Sequence, residues 1–167
     1  AKYATLTKGT NAINSNEIDT LSYSAAEKIY GKGDIEGAKE KFTEYLENHE
    51  KGAYRLDSHF YLGEICHKEK EMDKALEHFE EVIEFSDNKY TELAIMRAAG
   101  IYYNKAEYEK AGGLYKQLLA KSSNEERRQL ARINIMRTAQ KREKHSETIK
   151  FAAELLANST TSPEVKR

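Results

Sequence analysis

The chain has 167 residues, 33% charged and 39% hydrophobic, with one proline, no tryptophan and a formal net charge of −1. That balance gives no global attraction to nucleic acid or to an anionic membrane surface. The single cysteine, Cys66, excludes an internal disulfide framework and a multi-cysteine zinc site. No apolar stretch reaches the roughly 18 residues of a transmembrane helix, and no run of β-branched and aromatic residues alternates with the period of a strand. What remains is an all-α chain.

In chain order, residues 1–18 read as the remnant of a preceding repeat or a linker. From residue 19 the sequence repeats itself. Ala38, Ala75, Ala111 and Thr148 follow one another at intervals of 36 to 37 residues, a solenoid-type period. Around each lies the same stripe: Ile35, Phe42, Tyr45 and Leu46 in the first copy, then Met72, Phe79, Val82 and Ile83 in the second. The third copy has Tyr108, Tyr115, Leu118 and Leu119, and the degenerate fourth has His145, Ala152, Leu155 and Leu156. Steps of three and four place each set on one helix face.

Upstream of each stripe a first helix carries its own small and apolar residues: Ala25, Ala26 and Ile29, then Leu62, Gly63 and Cys66. Copies three and four supply Ala98, Ala99 and Tyr102, then Ile135, Met136 and Ala139. Polar turns join the paired helices at 31–34, 68–71, 104–107 and 141–144, and Asp34 is placed to cap the helix after it. The spacing predicts four hairpins, about eight helices, over 19–54, 55–90, 91–127 and 128–157. Neither face of a hairpin is buried by the hairpin alone, so stability has to come from stacking. Residues 158–167, with Pro163 near the start of a helical pattern, read as the beginning of a further repeat or a tail. On this reading the chain is an excerpt of a longer array.

The run Phe60-Tyr-Leu-Gly-Glu-Ile-Cys-His67, followed by Met72-Asp-Lys-Ala-Leu-Glu-His-Phe79 and Val82-Ile83, resembles the tetratricopeptide repeat. It is most similar to the repeats of bacterial envelope proteins, the Tol-Pal coordinator and outer-membrane assembly lipoproteins. The resemblance covers about residues 19–157. It departs from the family pattern in a period longer than 34 and in lacking the proline that often closes a repeat. It implies a right-handed superhelical solenoid of antiparallel hairpins that binds proteins and catalyses nothing. It also implies a place in the bacterial periplasm or on the periplasmic face of the outer membrane.

The family's first helices line a concave groove. Carried over, that groove is formed by Tyr23, Glu27 and Tyr30, then Phe60, Glu64 and His67, then Met96, Gly100, Tyr103 and Asn104, and finally Ile133, Arg137 and Gln140. Tyr, Phe and Met offer adaptable contact area for a peptide or helix. The subclass that clamps a terminal carboxylate uses Lys, Asn and Arg where this chain has Glu27, Glu64 and Gly100, which weighs against that activity.

Other chemistry finds little support. Cys66 sits at a core position and reads as a small buried hydrophobe. No second His or Cys lies at metal-ligand spacing, and no cofactor is implied. Gly112-Gly113 falls inside a helix, where it points to close packing or local flexing and not to a phosphate loop. Charge is uneven: acids outnumber bases about two to one from Asp34 to Glu92, whereas Arg127, Arg128, Arg132, Arg137, Lys141, Arg142 and Lys144 make the last repeat basic. That repeat is the basis of an alternative, an RNA- or acidic-partner-binding solenoid, although no aromatic residues interleave to stack bases. A spacer or regulatory arm of a larger enzyme or signalling protein is the other alternative.

Overall fold

A computed structural model describes residues 15–85 and 87–160 of the chain. Among them every regular element is an α-helix: α1 Ser15–Gly31, α2 Ile35–Asn48, α3 Arg55–Lys68, α4 Met72–Glu84, α5 Thr91–Asn104, α6 Tyr108–Lys121, α7 Glu125–Lys141 and α8 His145–Thr160. They pair as four hairpins across the polar turns expected from the sequence. Of the terminal stretches, 1–14 and 161–167 lie outside the described residues; 15–18 form the first turn of α1 and 158–160 the last turn of α8.

The turns share one geometry. Gly33, Lys70, Ala106 and Glu143 each adopt a positive φ, of 83, 65, 60 and 56°. After the last three, the N–H groups of Glu71, Glu107 and Lys144 reach back to the carbonyls of Cys66, Tyr102 and Ala139, each at 2.9 Å. This satisfies helix-end carbonyls in the manner of a Schellman motif. Only the first copy uses glycine there; the other three tolerate a left-handed residue at a cost of about 1 kcal/mol each. Asp34 caps α2, its side chain accepting the Gly37 N–H at 2.9 Å.

The chain divides into two compact units, Ala1–Leu62 and Gly63–Arg167, with the division inside α3. The first unit is built on rings. Tyr23 stacks on Tyr54 (centroids 4.4 Å apart) and meets Phe42 and Tyr45 at an angle, while Phe42 stacks on Tyr61 at 5.0 Å. Phe42 and Tyr45 are wholly buried with Ala26 and Ala38. Each such ring contributes on the order of 2 kcal/mol through burial and somewhat more through ring-edge geometry.

A polar latch ties this unit's loop to its helices. Asp19 of α1, 9% exposed, accepts the Tyr45 hydroxyl at 2.6 Å and the Ala53 N–H at 2.9 Å. The Tyr45 hydroxyl in turn accepts the Tyr54 N–H at 2.9 Å. His49 Nδ1 lies 3.4 Å from Asp19, and its ring stacks on Tyr45. Gly52 has to be glycine in this arrangement: a Cβ there would fall 2.3 Å from the Tyr45 oxygen and 2.6 Å from Asp19.

The second unit packs more by aliphatic side chains. Ile95, Leu118 and Ala131 form a cluster flanked by Ile83, Met96, Leu114 and Leu119. Small residues permit close helix approach: a Cβ on Gly63 would lie 2.7 Å from the buried Phe79 ring, and one on Gly112 would lie 3.0 Å from Thr138 Oγ1. Close packing is thus the role of Gly112, and Cys66 is buried as expected. Four positions differ from the sequence pattern, among them His145 and Leu156 of the fourth stripe, which are exposed. Ala25 is exposed while its neighbour Ala26 is buried, and in α8 the buried residue is Phe151, with Ala152 only half-buried. A methyl group cannot fill the space that Phe79 and Tyr115 fill in earlier copies, and the ring one position earlier takes over.

Two tyrosines set an alkaline limit on stability. Burial, then the hydrogen bond to Glu80, raises the Tyr102 phenol to about 12; burial, then Asp19, holds Tyr45 well above the usual tyrosine range. A phenol whose folded pKa exceeds its unfolded value of about 10 contributes stability that is complete below pH ~10 and fades as pH rises further. Urea midpoints should therefore stay level up to pH ~10 and fall between about pH 10 and 12. Tyr102→Phe should flatten part of that fall. A midpoint indifferent to pH across this window would contradict the assignment.

Candidate functional site

The first-helix residues expected to line a groove fall into two groups. In the first unit, Tyr23 and Phe60 are buried, and Tyr30 is half-buried between Phe42 and Tyr61. Their rings pack the hairpin. Glu27 is exposed and accepts the Tyr23 hydroxyl at 3.3 Å.

In the second unit the face stays open. Glu64 and His67 of α3 are half-buried, as are Met96, Gly100 and Tyr103 of α5, while Asn104 and Arg137 are exposed. Met96 leans on the Ile95–Leu118–Ala131 cluster. At Gly100 there is room: beyond the helix's own backbone, no atom comes within 4 Å of where a Cβ would stand. Along α5, Met96 and Arg97 lie one turn before Gly100 and Tyr103 and Asn104 one turn after it, all on the same face.

Two groups that sequence reasoning missed shape the face. Arg97 makes a two-pronged pair with Glu64, Nε to Oε1 at 2.6 Å and Nη2 to Oε2 at 3.1 Å. The hydrogen bonds to Glu64 raise its pKa further, and the geometry is the fork-to-carboxylate match that favours arginine. Tyr115 of α6 feels both Tyr103 and Arg137 electrostatically. Burial raises its phenol pKa first, Tyr103 adds to this, and the Arg137 guanidinium opposes it. Tyr103 also meets Tyr108 edge to face at 5.3 Å. Along α5, Gly100 is thus flanked by the Glu64–Arg97 ion pair one turn before it and by Tyr103 one turn after it.

The basic stretch is largely spent inside the molecule. Arg127 pairs with Glu92 at 2.5 Å, Arg128 donates to the Leu119 carbonyl at 2.7 Å, and Arg132 pairs with Glu125 at 2.7 Å. Arg132 holds the Glu125 carboxyl below its ordinary value, and Arg142 pairs with Glu109. These contacts join α7 to its neighbours and cap its start. Among the described residues, no group of three or more His, Cys, Asp or Glu gathers as a metal site would require, and no helix is long and apolar enough to cross a membrane.

The hairpin α5–α6, with the α7 start that follows it, carries the family match. Residues 94–129 match the tetratricopeptide-repeat family. This repeat shares its left-handed turn and its register of small residues with the other three hairpins. Among curated proteins no sequence matches the chain significantly. Solved structures share its fold. A candidate kinesin light chain of Podosopora anserina, built of nearly identical TPR-like repeats, aligns with a TM-score of 0.63 at 17% identity, over 91% of this chain and 81% of that one. The MamA RS-1 ArsTM double mutant gives 0.64 at 15% identity, over 87% and 76%. A MamA protein gives 0.55 at 15% identity, over 91% and 97%. At these identities the likeness is one of fold: eight helices in tetratricopeptide-type hairpins.

Proposed function

We propose that the chain is a non-catalytic protein-interaction module that holds a segment of a partner protein along the first-helix face of its second unit. The observation that carries this reading is the open face of α5 at Gly100, flanked along the helix by Met96, the Glu64–Arg97 pair and Tyr103. A bound segment can approach the helix backbone there without displacing a side chain. The surrounding tyrosines supply large contact area at small entropic cost, and the charges at the rim set register. In the first unit the corresponding aromatic rings are used for packing, so the second unit is the better host. The alternative reading as an RNA-binding solenoid is less favoured, because Arg127, Arg128, Arg132 and Arg142 already have protein partners.

A photo-crosslinking amino acid at position 100, compared with one at the exposed position 113 of α6, tests the proposal in the native host. We expect a discrete crosslinked protein from position 100 only, lost on Tyr103→Ala combined with Arg137→Glu. The same products from both positions, or products indifferent to that double variant, would overturn the groove. An envelope location belongs to the same proposal on the strength of the sequence resemblance, and fractionation of the host into cytoplasm, periplasm and membrane tests it.

A further inference from the structure

Two neighbouring first helices of the second unit leave large apolar side chains in water. Leu93 of α5 and Leu130 of α7 are 36% and 38% exposed and share one register position, each directly before a fully buried alanine, Ala94 or Ala131. One turn further along, Met96 and Ile133 are half-buried on the same faces. The Glu92–Arg127 pair and the shared cluster of Ile95 with Ala131 hold the two helices side by side. On its other side α5 is tied to α3 by Glu64–Arg97. With a neighbour on each side, the exposure of Leu93 belongs to the open face and not to an end of the array.

Beyond the leucines this face lacks acid. α5 has no Asp or Glu after Glu92, and α7 has none after Glu126. The carboxylates nearby are mostly engaged: Glu92 by Arg127, Glu64 by Arg97, and Glu125 by Arg132 and Arg128. Glu126, exposed in the first turn of α7, is the acid left over at the leucine end. At the opposite end Arg137 and Lys141 are exposed, and among the described residues neither has an ion pair. Their counterparts in α5 are Gly100, with no atom within 4 Å of where a Cβ would stand, and the exposed Asn104. These positions therefore stay open where another hairpin follows.

We propose that the partner segment is acidic and amphipathic, its apolar side chains covering Leu93, Met96, Leu130 and Ile133 and its carboxylates lying along Arg137 and Lys141. This rests on the open first-helix face proposed above and adds the chemistry of what fills it. Covering the two leucines supplies affinity. The uncompensated cations select acidic segments, and Glu126 repels carboxylates from the leucine end, which sets the direction. The apolar contacts are aliphatic, which suits a protein segment better than RNA, whose bases stack on rings.

A random-peptide library displayed on phage and selected on the whole chain tests this, with synthetic copies of the enriched peptides titrated by fluorescence polarisation. Enriched peptides should combine Asp or Glu with Leu, Ile, Met or Phe, and their affinity should fall as salt rises. Leu93→Ser with Leu130→Ser should weaken them by about 30-fold. Arg137→Glu with Lys141→Glu should weaken them by about tenfold and turn a repeated selection towards basic peptides. Circular dichroism should show unchanged helicity in both; if the leucine variant loses helicity, the charge exchange on fully solvated residues still decides. Basic or neutral peptides that are lost with the leucine variant would overturn the acidic partner and leave the face in place. Peptides indifferent to the leucine variant, or no enrichment at all, would overturn the face as well. Polyuridylate binding or self-association abolished by the leucine variant would give the face to RNA or to a second copy, against the proposal.

Discussion

Replacing Asp19 with alanine should destabilise the first unit by about 3 kcal/mol, one of the two largest effects expected of a single side chain here. The carboxylate accepts two hydrogen bonds in a setting with little water, from the Tyr45 hydroxyl and the Ala53 N–H. A hydrogen bond to a charged acceptor is worth about 1.5–3 kcal/mol, and its loss leaves the donor unsatisfied. Tyr45→Phe should cost about 2 kcal/mol, since it strands the Tyr54 N–H while leaving the ring packed. The two changes act on one network, so the double variant should fall short of the sum by about 1 kcal/mol or more. Hydrogen exchange of α1 and α2 is the measurement to make, because protection should fall there first. Additive costs, or protection lost equally in α6 and α7, would show that the latch is not a local device.

Gly63→Ala and Gly100→Ala should move stability in opposite directions although both glycines lie in helices of the same role. Alanine gains about 1 kcal/mol over glycine in a helix interior. At Gly100 nothing opposes that gain, so stabilisation of about 0.5–1 kcal/mol is expected. At Gly63 the new methyl would stand 2.7 to 3.0 Å from three atoms of the Phe79 ring. That ring is fully buried, and at such distances it has to shift, so overpacking of about 2–4 kcal/mol outweighs the helical gain. Chemical denaturation of the two variants decides the matter. Equal shifts of the same sign would mean that the Gly63–Phe79 contact is looser than its geometry indicates.

These two cases mark where the sequence pattern stops. A glycine in a helical run looks the same at 63 and at 100, since the pattern carries no information on what stands opposite. The tyrosines pose the same problem. Tyr23 and Tyr103 both fall on the expected groove face, yet the first is buried under Tyr54 and the second is half-exposed beside Tyr108. A first helix touches its own partner and the hairpins on either side, and a 3.6-residue period distinguishes one apolar face, not three.

The sequence by itself determined the hairpins, their period, their turns and most of the core positions of the second helices in the first three copies. These follow from interactions within a few residues, namely the spacing of apolar side chains, caps such as Asp34 and polar breaks. The left-handed residues Lys70, Ala106 and Glu143 were not legible, because only the first copy spells the turn with glycine. Tertiary structure alone decided the rest: the Asp19 latch, the Glu64–Arg97 pair across 33 residues, the edge-to-face meeting of Tyr103 and Tyr108, and the burial of Phe151 in place of Ala152. Each depends on the relative rotation and offset of two helices, and a shift of one residue turns a side chain by about 100°. Helix periodicity fixes which residues can face a neighbour, but only packing fixes which atoms meet.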